Sequence, residues 1–130
     1  MKVEINPDLI DHIRSSMKNY SNGNNSSVVI GFLVGKQEED SIIAEQIWIP
    51  PQEGFTAAQG PGLLSGSLED TIRAVTSFKR SIAGIVQYNA NTHGLIPSIN
   101  ALRYKDALTS QGYPPLLWIM NMYGKNKIES

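Results

Sequence analysis

Cysteine is absent from this chain of 130 residues, and its absence removes several kinds of chemistry at once. Without thiols there are no disulfides, no thiolate nucleophile and no thiolate zinc site, and the composition fits a reducing compartment. A surplus of one charge is also missing, because 11 Lys and Arg residues stand against 12 Asp and Glu residues. We therefore expect neither nucleic acid nor an anionic membrane as a partner.

Long apolar runs are lacking as well. No segment approaches the roughly 20 apolar residues that a membrane-spanning helix needs. The first residues, MKVEINPDL, lack the apolar centre of a signal peptide. The length suits one domain with one hydrophobic core. We expect a cytoplasmic, soluble protein.

The spacing of apolar residues predicts an α/β domain with the element order α-β-β-α-β-α-β. Asn6 followed by Pro7 marks the first helix start, and the runs VVIGFLV and IIAEQIWI suggest a strand hairpin. The domain is expected to cover residues 1–122, followed by a polar tail, residues 123–130, that frays. The predicted helices are residues 7–19, 68–80 and 98–110, and the predicted strands are residues 28–34, 42–49, 82–88 and 115–120.

A long segment between the second strand and the second helix, residues 52–66, is rich in Gly, Pro and Ala. A loop of this length in a small domain is often functional, so we expect a contact segment or flap. Phe55 within it is the candidate interface residue. Trp48 and Trp118 lie in apolar strand runs, where packing in the core is expected.

Polar residues are concentrated in the segment GIVQYNANTHGLIPSINA, residues 84–101. Gln87 and Asn89 are two apart on a predicted strand, so their side chains point to the same face. Ser98 stands where the next helix begins. A glycine frame, GFLVG, occurs in the first predicted strand at residues 31–35.

This segment, the glycine frame and the element order resemble the JAMM/MPN domain over about residues 3–122. That family contains zinc isopeptidases that remove ubiquitin-like tags. The resemblance implies a single JAMM/MPN-like, cytidine-deaminase-like domain, in which a mixed sheet is flanked by helices.

The family motif begins with His-Ser/Thr-His-Pro, which is followed after seven residues by Ser and after two more by Asp. A separate Glu stands three residues before the first Gly of the glycine frame. On this chain the family's Ser is matched by Ser98. Gln87 and Asn89 stand at the two His positions, Ala101 at the Asp position and Val28 at the Glu position.

The resemblance thus implies a site from which every metal ligand is missing. Neutral amides are weak zinc ligands, Ala101 has no ligand atom, and Val28 cannot take a proton from metal-bound water. We expect no metal, no cofactor and no catalysis by the family mechanism.

The polar residues of the segment admit more than one role. Gln87 and Asn89 either form a pocket for a peptide backbone or satisfy each other and the neighbouring backbone. Ser98 is expected to cap a helix. His93 is either an acid-base group or an exposed loop residue. The other histidine, His12, is in the first predicted helix and lies outside the motif.

Three hypotheses about function follow. In the first, the chain is a non-catalytic JAMM/MPN-like scaffold or partner subunit that pairs with itself or with an active relative, as ligand-free family members do in assemblies such as the proteasome lid. In the second, the metal-free cleft of Gln87, Asn89, His93 and Ser98 binds a ubiquitin-like tail or another extended peptide. In the third, His93, Asn89 and Ser98 form a metal-independent hydrolase, although the motif offers no carboxylate to orient the histidine.

Overall fold

A computed structural model describes residues 2–24, 27–50, 61–91 and 93–129 of the chain. Within these ranges it contains a six-stranded sheet and three helices. The α/β class expected from the sequence is confirmed. In chain order the elements are β1 (Lys2–Glu4), α1 (Pro7–Asn24), β2 (Val28–Gln37), β3 (Ser41–Trp48), α2 (Pro61–Ser77), β4 (Ser81–Asn89), α3 (Ile99–Ser110), β5 (Leu117–Asn121) and β6 (Asn126–Glu129).

The sheet is mixed and has the strand order β1-β3-β2-β4-β5-β6. The predicted hairpin is confirmed, because β2 pairs with β3 in antiparallel fashion. On its other side β2 runs antiparallel to β4, and β4 runs parallel to β5. The two edge strands pair with their neighbours, β1 with β3 and β6 with β5.

Helices cover both faces of the sheet and give two apolar layers. On one face Ile13 and Met17 of α1 pack in a cluster with the odd-numbered residues Val29 and Leu33 of β2. On the other face α2 and α3 cover the even-numbered β2 residues, and Tyr104 meets Phe32 edge to face at 5.4 Å between ring centroids. Because the central strand is buried on both faces, its sequence is a continuous apolar run rather than an alternating one.

Two glycines are explained by close approach of a neighbouring segment. A side chain at Gly35 would collide with the backbone of β3 at Ile43, where the pairing register of β2 and β3 shifts. A side chain at Gly84 would collide with Leu116. Small residues are required at both positions by packing alone.

The helices extend beyond their predicted bounds. Helix α1 continues to Asn24, through polar residues beyond its predicted end at residue 19. Helix α2 begins at Pro61, a residue type favoured at the first helical position, so part of the expected loop is helical. Phe55 lies outside the described residues. None of the described helices combines the length and apolar character needed to cross a membrane.

Two short edge strands were not predicted. Strand β1 has three residues, too few for a periodic pattern. The tail expected to fray instead contributes β6, in which Ile128 pairs with Trp118 and Lys127 with Ile119. The polar composition of residues 123–130 hid this strand, because an exposed edge strand needs few apolar side chains.

Candidate functional site

Three of the motif positions, Val28, Gln87 and Asn89, lie at one end of the sheet. Val28 at the start of β2 pairs with Asn89 at the end of β4, and Asn89 pairs with Asn121 at the end of β5. Paired residues on neighbouring strands present their side chains to the same face. Gln87, two residues before Asn89, shares that face, which is the one covered by α3.

Gln87 and Asn89 are buried, with 1% and 4% of their surface exposed. Gln87 Nε2 donates to Asn89 Oδ1 at 2.8 Å and to the carbonyl of Ile96 at 3.0 Å. The backbone N–H of Ser98 donates to Gln87 Oε1 at 2.8 Å, and Asn89 Nδ2 donates to the carbonyl of Gly94 at 3.1 Å. The two amides thus satisfy each other and hold the segment that leads from β4 into α3.

Asn121 is a third buried amide, and it was not among the candidate residues predicted from the sequence. Its Nδ2 donates to the carbonyl of His93 at 2.9 Å. Its Oδ1 accepts from the N–H groups of Tyr123 at 3.0 Å and Lys125 at 3.1 Å. We name Gln87, Asn89 and Asn121 the amide cluster. An Asn that ends an apolar run three residues before a Gly was the signal available in the sequence.

Ser98 is the N-cap of α3. Its backbone is extended, with φ −75° and ψ 159°, and its Oγ accepts from the N–H of Ala101 at 3.1 Å. Ala101 is fully buried in the apolar layer under α3, whereas Val28 is 40% exposed. Ser98 therefore has the helix-capping role expected from its position.

His93 lies in the loop after β4 and is stacked on Tyr123, with ring centroids 3.7 Å apart and planes 10° from parallel. His12 is on α1, which covers the opposite face of the sheet. Over the described ranges, no three His, Asp or Glu side chains are grouped so that they could hold a metal ion. The two tryptophans pack as expected, Trp118 inside the core and Trp48 against it.

Exposed apolar side chains surround the amide cluster. Met122 donates its N–H to the carbonyl of Asn89 at 3.2 Å, and the carbonyl of Ile96 accepts from Gln87. Exposure reaches 78% for Ile96 and 70% for Ile99. We name this set the apolar rim, and it consists of Val28, Ile96, Ile99, Met122 and Tyr123.

Comparison with known proteins identifies a shared fold but no family. No family model matches the chain, and no curated protein matches it. Among solved structures, the solution structure of protein DSY2949 from Desulfitobacterium hafniense is similar, with a TM-score of 0.58 and 12% identity over 97% of this chain and 80% of that chain. At this identity the likeness supports the fold alone.

Proposed function

We propose that this chain is a non-catalytic, JAMM/MPN-like domain that acts as a scaffold or partner subunit by binding another protein. One observation carries the proposal. The side chains at the two motif positions, Gln87 and Asn89, use their hydrogen bonds to hold a loop of the same chain, and that loop presents exposed Ile96 beside exposed Ile99.

Exposed branched aliphatic side chains favour an interface. Single exposed apolar residues are ordinary, but a group at one end of a domain is typical of a protein-binding surface. The rim also contains Tyr123, and aromatic residues and methionine are enriched in the centre of interfaces. A loop held by buried amides loses little freedom when a partner binds, which favours affinity.

The direction of the two amides supports the resemblance to JAMM/MPN domains. Their ends meet at 2.8 Å from adjacent positions on one face of β4, as two ligands of one ion would converge. Ser98 begins the following helix beside them, and its N–H bonds to Gln87. This geometry of Gln87, Asn89 and Ser98 supports the proposal.

The hydrogen bonds of Gln87 make binding through the rim a better proposal than binding of a peptide tail in the cleft. Both hydrogens of its Nε2 are already donated, to Asn89 and to the carbonyl of Ile96. A peptide could use this amide only if the loop were released, at a cost of about 1–3 kcal/mol for each buried group left unpaired.

Affinity purification from the source cell tests the proposal. The tagged chain is compared with the double variant Ile96→Ser and Ile99→Ser, co-purifying proteins are identified, and the complex is weighed intact. Phe78→Ser is the matched control, because Phe78 is 66% exposed and follows α2, outside the rim.

We expect a stoichiometric partner, either a second copy, a JAMM-type hydrolase or a component that handles ubiquitin-like proteins. That partner should be retained by the control and lost by the double variant. Recovery of a lone monomer, or equal recovery of the partner by both variants, contradicts the proposal.

A further inference from the structure

A cavity lies on the opposite face of the sheet from the amide cluster. Tyr88 stands between Gln87 and Asn89 on β4, so its side chain points towards α1 instead of α3. The residue is 2% exposed and packs in the apolar layer with Met17. It also lines a cavity of about 240 Å³. The other lining residues are Lys18, Ser21 and Asn22 of α1, Ser27 before β2, Ala90 and Asn91 after β4, and Met122 after β5.

The cavity is polar and carries positive charge. Its lining includes hydroxyls, amides and the Lys18 ammonium group, and no carboxylate is among the described lining residues. Arg14, one turn before Lys18 on α1, is not a lining residue; it donates to the carbonyl of Asn121 at 3.0 Å, and its charge acts on Tyr88. An anionic group is therefore the ligand that this environment favours.

The side chain of Tyr88 also favours an anionic ligand in this cavity. The residue is buried, and its side chain lines the cavity. Burial raises the pKa of Tyr88 above its usual 10.0, and the charge of Arg14 acts in the opposite direction. The hydroxyl is thus protonated at neutral pH and available as a donor. An anionic acceptor in the cavity would accept a charge-assisted hydrogen bond from this hydroxyl.

We propose that this cavity binds a small molecule through a phosphoryl or carboxylate group, with the Tyr88 hydroxyl and the Lys18 ammonium group as donors. The volume of about 240 Å³ exceeds the roughly 150 Å³ of a cavity that can hold benzene. It therefore accepts a small metabolite and not only an inorganic ion. Met122 borders both this cavity and the apolar rim, but the donors proposed here, Tyr88 and Lys18, lie outside the rim.

Titration of the labelled protein tests the site. Inorganic phosphate and succinate are added separately at constant ionic strength, and the backbone amide shifts of Ser27, Ala90 and Asn91 are followed by NMR. We expect saturable shifts at these positions, with a Kd of ~1 mM or below for at least one of the two anions. Whichever anion saturates identifies the group that the cavity recognises.

Two variants and a control make the titration specific. Tyr88→Phe removes only the hydroxyl and should weaken binding about tenfold, as expected for a hydrogen bond to a charged group. Lys18→Gln should weaken it severalfold, and because Lys18 is exposed on α1 this variant tests the site even if Tyr88→Phe folds poorly. Lys36→Gln, at the far end of β2, should bind as the wild type does.

The proposal is overturned if neither anion gives saturable shifts up to about 20 mM, twentyfold above a Kd of ~1 mM. It is also overturned if the folded variants at Tyr88 and Lys18 bind with the same affinity as the wild type. Shifts that sodium chloride reproduces at the same ionic strength would have the same meaning, because they reflect screening instead of a site.

Discussion

The side-chain amide of Gln87 donates to the side-chain carbonyl of Asn89 at 2.8 Å, and both residues are buried on the same face of β4. From this pair, hydrogen bonds extend to the carbonyls of Gly94 and Ile96 and to the N–H of Ser98. The pair therefore connects the centre of the sheet to the loop that presents part of the apolar rim. This connection links the stability of the fold to the proposed binding surface.

Truncation of Gln87 should destabilise the protein. Gln87→Ala leaves the N–H of Ser98, the carbonyl of Ile96 and the Asn89 amide oxygen without this partner, so we expect a loss of about 2–4 kcal/mol in the free energy of unfolding. Urea denaturation followed by circular dichroism measures it. The matched control is Gln46→Ala on β3, where the side chain is exposed and the change should stay within about 0.5 kcal/mol. Equal stability of the two variants would contradict a structural role for Gln87.

Asn121 should fix the turn between β5 and β6. Its Oδ1 accepts from the N–H groups of Tyr123 and Lys125, so Asn121→Ala should raise the hydrogen-exchange rates of these two amides. The expected increase is about tenfold or more, which corresponds to the loss of ~1.4 kcal/mol in local stability. Asn19→Ala, an exposed position on α1, is the control. Unchanged exchange at Tyr123 and Lys125 in the Asn121 variant would be evidence against this role.

Tyr88 should give the fold a specific sensitivity to alkaline pH. Because burial raises its pKa in the folded state above 10.0, the unfolded chain loses the phenolic proton first as pH rises. The contribution of protonated Tyr88 to the free energy of unfolding is fully present below pH 10.0. It is lost as pH rises from there through the folded-state pKa of Tyr88.

Tyr88→Phe removes this dependence while leaving the other tyrosines in place. Urea unfolding at about pH 8 and about pH 11 should show a smaller loss of stability for the variant than for the wild type. Tyr113→Phe, at a partly buried tyrosine outside the cavity, serves as a control for the loss of a phenol. If wild type and Tyr88→Phe lose stability in parallel, the folded-state pKa of Tyr88 is not raised.

Restoring the family's ligands tests the resemblance itself. The triple variant Gln87→His, Asn89→His and Ala101→Asp should bind Zn²⁺, because it supplies two imidazoles and a carboxylate at the corresponding positions. Isothermal titration with Zn²⁺ measures the affinity. The variant Gln87→His and Ala101→Asp, with Asn89 retained, is the control and should bind at least tenfold more weakly.

Ala101 is fully buried, so the stability of the triple variant is measured first. A folded triple variant that binds Zn²⁺ no better than its control would show that these positions do not converge as in a JAMM/MPN site.

The sequence predicted the elements that have strong apolar patterns. Strand β2 and its pairing with β3 followed from the two apolar runs VVIGFLV and IIAEQIWI. The edge strands β1 and β6 were missed, because a strand of three or four residues with polar side chains has no detectable period. The early start of α2 was missed because Gly and Pro residues near it suggested a loop.

The candidate site was predictable in position but only partly in role. The spacing of Gln87 and Asn89 correctly placed both side chains on one face, and the structure shows which groups their amides contact. Asn121 could not be placed beside them from the sequence, because its proximity depends on the parallel pairing of β4 with β5. Contacts between distant segments of this kind have no local signal.

Analytical ultracentrifugation of the purified chain, alone and with the protein that it captures, tests the central claim most directly. The wild type should sediment as a defined dimer or complex, whereas the double variant Ile96→Ser and Ile99→Ser should sediment as a folded monomer that no longer binds. The Phe78→Ser control should behave as the wild type does. A wild type that stays monomeric with every candidate, or a double variant that assembles equally well, would contradict the claim that the apolar rim is a protein-binding surface.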